Sequence, residues 1–144
     1  MAQKKNPSKP LRTAYIQALK AATGLPVYYK LLPAGNTAKE YILLDSMSKY
    51  RIVRAKVDYY EWQVRVNVNI YSIRPAGTSN QGRVDDIEEV VRETIGVALP
   101  VEGWYNKNTD EVSQQDLSTA GQTTFTDRSL IIFEHWLTEK PTTT

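Results

Sequence analysis

The sequence predicts an α+β fold: an antiparallel-rich β-sheet with two α-helices packed on one face. Three observations predict it. From Glu61 to Ile73 the side chains alternate, with Trp62, Val64, Val66, Val68 and Ile70 on one parity and Gln63, Arg65, Asn67, Asn69 and Tyr71 on the other. Alternation of that kind gives a strand one dry face and one wet face. Two segments, Lys9–Thr23 and Val84–Leu99, place apolar residues at helical spacing. Arg128–Leu137 alternates again, with Leu130, Ile132 and Trp136 opposing Ile131, Phe133, His135 and Leu137. A long strand with one wet face needs antiparallel neighbours and a helical cover on its dry side.

Residues 1–9 carry Lys4, Lys5 and Lys9 with no large apolar residue after Met1, and read as a flexible basic arm. The arm is either a frayed terminus or a contact to a neighbouring subunit or to nucleic acid. Ser8 is the expected N-cap of the first helix, and Pro10 falls in its first turn, where a missing N–H does no harm. Leu11, Tyr15, Ala18, Leu19 and Ala22 form its buried stripe, and Gly24 followed by Pro26 ends it. Val27–Leu32 reads as a strand stopped by Pro33-Ala34-Gly35-Asn36, and Glu40–Leu44 as a second, with a linker long enough for a loose hairpin. Tyr50–Val57 reads either as a third strand or as an extended arm. The long strand would reach about 36 Å from Trp62 to Ser72 at ~3.3 Å per residue. Arg74-Pro75-Ala76-Gly77 stops it.

Thr78 or Asn80 caps the second helix, whose stripe is Val84, Ile87, Val90 or Val91, Ile95 and Ala98, with Pro100 beyond its end. Residues 103–126 read as a long polar loop region anchored by Trp104 and Tyr105, with a weak strand near Val112–Leu117. Some of this region is expected to order on assembly. Residues 10–138 thus form one domain and residues 139–144 a flexible tail.

A chain of 144 residues, 41% hydrophobic and 24% charged, has the make-up of one soluble globular domain. Such a chain buries roughly 70% of the surface it exposes when unfolded. No apolar run approaches the ~18 residues a membrane span requires, so no membrane partner is expected. The N-terminus lacks a signal-peptide core. With no cysteine, disulfides and thiolate metal sites are excluded. Stability must come from packing and assembly.

Catalytic constellations are absent from the pattern. Gly77-Thr-Ser-Asn-Gln-Gly82-Arg83-Val84 follows a strand and opens a helix, as a phosphate-binding loop does. Yet Arg83 and Val84 stand where lysine and a magnesium-holding hydroxyl belong. The loop therefore reads as glycine punctuation before a helix. His135 is the only histidine; its neighbours Glu134 and Trp136 lie on the opposite face of the strand, so it reads as a packed residue at a sheet edge or interface. No metal, cofactor or enzymatic activity is expected.

The charges are sorted. Between Lys49 and Arg65, five bases (Lys49, Arg51, Arg54, Lys56, Arg65) face two acids, and between Arg83 and Glu93 five acids face two arginines. The acids also suit the positive end of a helix. Opposite patches on one chain suit head-to-tail contact between copies, or neutralise each other within one copy.

The helix Leu11-Arg-Thr-Ala-Tyr-Ile-Gln-Ala-Leu19 ending at Thr23-Gly24 leads to Val27-Tyr28-Tyr29, then Pro33 before Tyr41-Ile42-Leu43-Leu44. The long strand Val64–Tyr71, the helix Val84–Leu99 and the strand Leu130–Phe133 follow. Over residues 10–138 this order resembles the tail-completion, or tail-terminator, proteins of tailed bacteriophages. The resemblance lies in pattern and element order, with no catalytic motif behind it. It implies a structural virion protein that assembles as a hexameric ring, caps the tail tube and joins it to the neck or connector at the head–tail junction. The implied partners are other copies of the chain, the tube protein and the connector or stopper protein. DNA would pass through the lumen without sequence-specific binding. Assembly would take place in the host cytoplasm.

The expected subunit contact sets Arg51, Arg54, Lys56, Trp62 and Arg65 of one copy against Asp85, Asp86 and Glu89 of the next. Two other readings compete: a head-completion or stopper protein of the same junction, and a single-stranded nucleic-acid binder using Arg65, Asn67, Asn69 and Tyr71.

Overall fold

The computed structural model describes residues 6–45, 47–52, 59–97 and 99–141. Helix α1 spans Ser8–Thr23 and is followed by the strands β1 (Val27–Tyr29), β2 (Glu40–Leu44), β3 (Ser48–Ile52) and β4 (Glu61–Pro75). Helix α2 (Gln81–Ile95) leads to β5 (Trp104–Asp116), β6 (Thr119–Ala120) and β7 (Thr124–Glu139). The strands form one sheet in the order β1-β2-β4-β7-β5, with β3 also beside β4 and β6 beside β7. Every pairing is antiparallel except β1 with β2. The α+β class and its antiparallel-rich sheet are as expected.

β4 and β7 are the spine. They pair without interruption from Glu61↔Thr138 to Pro75↔Thr124. That register puts Val64 beside His135, Val66 beside Phe133 and Val68 beside Ile131, and all six side chains are buried. β2 adds Ile42 and Leu44 opposite Ile70 and Val68. Leu11, Tyr15 and Leu19 of α1 and Val84, Ile87, Val91 and Ile95 of α2 belong to the same cluster. The helices thus reach the core through most of the residues their 3.6-residue period predicted; of the others, Ala22 is exposed and Ala98 lies outside the described residues. Trp62 packs only at the margin of this core and is half-buried.

Several local expectations are corrected. Ser8 lies inside α1; its backbone N–H is held by the Asn6 side chain at 2.9 Å, and no side chain caps the helix from the preceding Pro7. At the other end Gly24 has φ 71° and donates its N–H to the Lys20 carbonyl at 2.9 Å, the left-handed terminus predicted for it.

β1 stops at Tyr29 rather than Leu32, because Lys30 turns at φ 66°. Instead of forming a hairpin, β1 lies parallel to β2, with Val27 beside Ile42. The parallel register lets Val27 enter the core while Tyr28, on the other face, reaches the Tyr41 ring. β3 covers Ser48–Ile52, and the remainder of the expected Tyr50–Val57 strand lies outside the described residues.

α2 ends at Ile95 with Gly96, before the expected Leu99. The largest difference is residues 103–126. Instead of a polar loop they form β5, with register shifts between Asn106 and Asn108 and between Glu111 and Ser113, and then β6. A polar edge strand has no apolar alternation to betray it, since its pairing uses backbone groups that every residue carries.

Candidate assembly surface

The parity of β4 and β7 that leaves the core carries a mixed surface. Its rows pair Gln63 with Trp136, Arg65 with Glu134, Asn67 with Ile132, Asn69 with Leu130 and Tyr71 with Arg128. In the Arg65–Glu134 row, Arg65 Nε donates to Glu134 Oε2 at 2.8 Å. That hydrogen bond and the carboxylate charge push the guanidinium above its ordinary value.

The strand ends are held differently. Tyr41 stacks on Tyr71 with ring centres 4.9 Å apart, Tyr28 lies 6.0 Å from Tyr41, and the Arg128 guanidinium lies 5.4 Å from the Tyr71 ring. Burial raises the hydroxyls of Tyr41 and Tyr71 above the usual phenol range, against the charge of Arg128, which lowers both. Asn69 is wholly buried. Its amide donates to the Leu43 carbonyl at 3.2 Å and to Asp45 at 2.9 Å, while its oxygen accepts from Arg128 at 3.1 and 2.8 Å.

The expected wet face is therefore only partly open. Asn69 and Tyr71 serve the fold, and stacking bases on Tyr71 would first require displacing Tyr41 or Arg128. Sequence reading missed Tyr28, Tyr41, Arg128, Glu134 and Trp136 as parts of this face. The alternation of Leu130, Ile132, Glu134 and Trp136 was the available signal for the last two.

The expected contact residues fall into two groups. Arg51, Trp62 and Arg65 lie near one end of the sheet but on two faces: β3 pairs Arg51 with Trp62 on the parity of the core, and Ser48 with Arg65 on the other. Arg51 is exposed, with its guanidinium 4.1 Å from the Tyr60 ring. Arg54 and Lys56 lie outside the described residues. Asp85, Asp86 and Glu89 are exposed on α2, where Gln81 donates to Asp85 at 2.8 Å.

Among the described residues the ion pairs are Arg65–Glu134, Arg83–Glu40, Arg92–Glu88 and Arg92–Glu111. None of these four joins Lys49, Arg51 or Arg65 to Asp85, Asp86 or Glu89.

At the start of α2 the Asn80 N–H and the Ser79 hydroxyl are both taken by Asp127, at 2.6 and 2.9 Å. The chain's own carboxylate sits where a phosphate would bind. His135 lies in the core rather than at an edge. Tyr15 hydrogen-bonds its Nε2, and Thr109 and Asn106 lie 3.0 and 3.4 Å from Nδ1. Burial pushes its imidazole down to about 4. Among the described residues no three His, Cys, Asp or Glu side chains converge as metal ligands, and no helix is long and apolar enough to cross a membrane.

The chain shares its fold with a virion chain. A solved chain of a native gene transfer agent virion superposes with a TM-score of 0.71 at 13% identity, covering 94% of this chain and 99% of its own. A second solved chain, 15% identical, covers 89% of this chain and 94% of its own with a TM-score of 0.47. No family model matches the sequence, and no curated protein matches it. At this identity the likeness speaks to fold, and it spans nearly the full length of both chains.

Proposed function

We infer that this protein is a non-enzymatic structural component of a phage-like virion, a ring-forming tail terminator that closes the tail tube and joins it to the neck. The observation that carries the reading is the full-length fold shared with a gene transfer agent virion chain. The distribution of charge adds to it: the exposed base Arg51 and the half-exposed Arg65 lie near one end of the sheet, on its two faces, while Asp85, Asp86 and Glu89 stand exposed on α2.

In this arrangement both helices cover one face of the sheet. Arg51, Trp62 and Arg65, with Arg54 and Lys56, meet the acidic helix of the next copy. Contact of unlike patches is heterologous, and closes into a ring when the rotation between copies divides a full turn, here into six. The ring then covers the unpaired tube end with one rim and offers the other to the connector, while DNA passes through the lumen.

Native mass measurement and negative-stain imaging of the purified chain, alone and with its tube protein, test the reading. A six-copy ring that binds tube ends and stops their growth is expected. A monomer that ignores the tube would overturn it. A ring that ignores the tube but binds the connector would reassign it to the stopper position.

A further inference from the structure

β5 is a long strand that gains little in one copy. After Trp104 none of its residues is buried, and β7 covers only one of its edges. Ordering a residue costs backbone entropy, which is normally offset by apolar burial that β5 lacks. β3 is alike: four of its five residues are exposed and the fifth is only half-buried. Among the described residues nothing pairs with its outer edge. Unpaired edges of this kind are templates for another strand.

The two edges differ in charge. β3 carries Lys49 and Arg51, whereas β5 carries Asp110, Glu111 and Asp116 against the single Lys107. Asp116 is held below the usual carboxylate range by hydrogen bonds from Ser118. β5 is also tied to α2, because Arg92 bridges the buried Glu88 at 3.7 Å to Glu111 at 2.7 Å. The directions agree as well. The path β3-β4-β7-β5 is antiparallel at each step, so β5 runs opposite to β3. Copies set edge to edge in the same sense therefore present an antiparallel pair.

We propose that β3 of one copy pairs with the open edge of β5 in the next, so that neighbouring copies share a continuous sheet. This rests on the ring reading and specifies its contact: a second copy of this chain, engaged through backbone hydrogen bonds, with the basic edge strand that carries Lys49 and Arg51 set against the acidic edge strand that carries Asp110, Glu111 and Asp116. The register shifts near Lys107 and Val112 interrupt the edge. They limit pairing to short segments, which suits a five-residue partner.

The chain has no cysteine, so introduced thiols report this contact directly. Within one copy the two edges are three strand spacings apart, about 14 Å at ~4.8 Å each, beyond the ~7 Å that a disulfide spans between Cα atoms. The test first measures the native mass of the unaltered chain. It then oxidises Arg51→Cys combined in turn with Asp110→Cys, Val112→Cys or Gln115→Cys, with Arg51→Cys plus Lys20→Cys as control. The expected result is an assembly that yields a covalent ladder of multimers at one or more β5 positions, severalfold above the control. An intact assembly with no ladder above the control would overturn the strand-pairing proposal and leave the ring reading standing. A chain that stays monomeric at every concentration would overturn both.

Discussion

Lowering the pH should weaken this fold through one residue, His135. The imidazole is wholly buried against Tyr15, Thr109 and Asn106, and desolvation depresses it from 6.5 to about 4. Its neutral form is therefore the folded form, with the Tyr15 hydroxyl donating to Nε2 and Nδ1–H donating to the side-chain oxygens beside it. In the unfolded chain the same group titrates near 6.5. Between these values the unfolded state binds a proton that the folded state refuses, so stability rises with pH across the window and is lost as pH falls through it.

At about 1.4 kcal/mol per pH unit, the loss from His135 approaches 3 kcal/mol near pH 4. Urea unfolding of the wild type and of His135→Gln, from about pH 7.5 to 4.5, separates this contribution from that of the carboxylates. The wild-type stability should fall more steeply than the variant's below about pH 6.5, with m unchanged. Parallel curves would refute the argument. Tyr15→Phe supplies a second arm: it leaves Nε2 without its partner in the core and should cost about 1–3 kcal/mol at neutral pH.

Asp127→Ala removes the acceptor for Ser79 and Asn80 that seats the start of α2; about 1–3 kcal/mol should be lost, seen as a Tm lower by several degrees. Gly24→Ala puts a Cβ into open space but at φ 71°, so the cost is backbone strain alone, about 1 kcal/mol, measurable as a lower denaturation midpoint. Arg65→Ala breaks an exposed, solvent-screened pair with Glu134. Its monomer stability should barely move in chemical denaturation, while light scattering should show weaker assembly. Ile70→Ala opens a hole opposite Ile42 in the centre of the sheet and should cost about 2–5 kcal/mol in the same unfolding assay.

How far the sequence could be read depended on which residues bury apolar side chains. Val64, Val66, Val68 and Ile70 announce β4, and Leu11, Tyr15 and Leu19 announce α1, because period and burial coincide. β5 was legible only as the weak strand near Val112–Leu117, which falls on its far end, for the opposite reason: Lys107, Asn108, Asp110, Gln114 and Gln115 are exposed on it, and exposed positions carry no periodic signal. Among the expected contact residues, the charges of Arg51, Arg65, Asp85, Asp86 and Glu89 were legible, but not that Glu134 would already hold Arg65.

By itself, the sequence determined the long amphipathic strand, the two helices, the left-handed end at Gly24 and the absence of cysteine chemistry. These follow from side-chain period and residue type, which are local. Tertiary structure decided that β1 lies parallel to β2, that Asn69 and His135 are buried, that Asp127 fills the start of α2, and that β3 and β5 end, among the described residues, as open edges of unlike charge. Each of these depends on register between segments tens of residues apart, and register is chosen by the packing of the whole core.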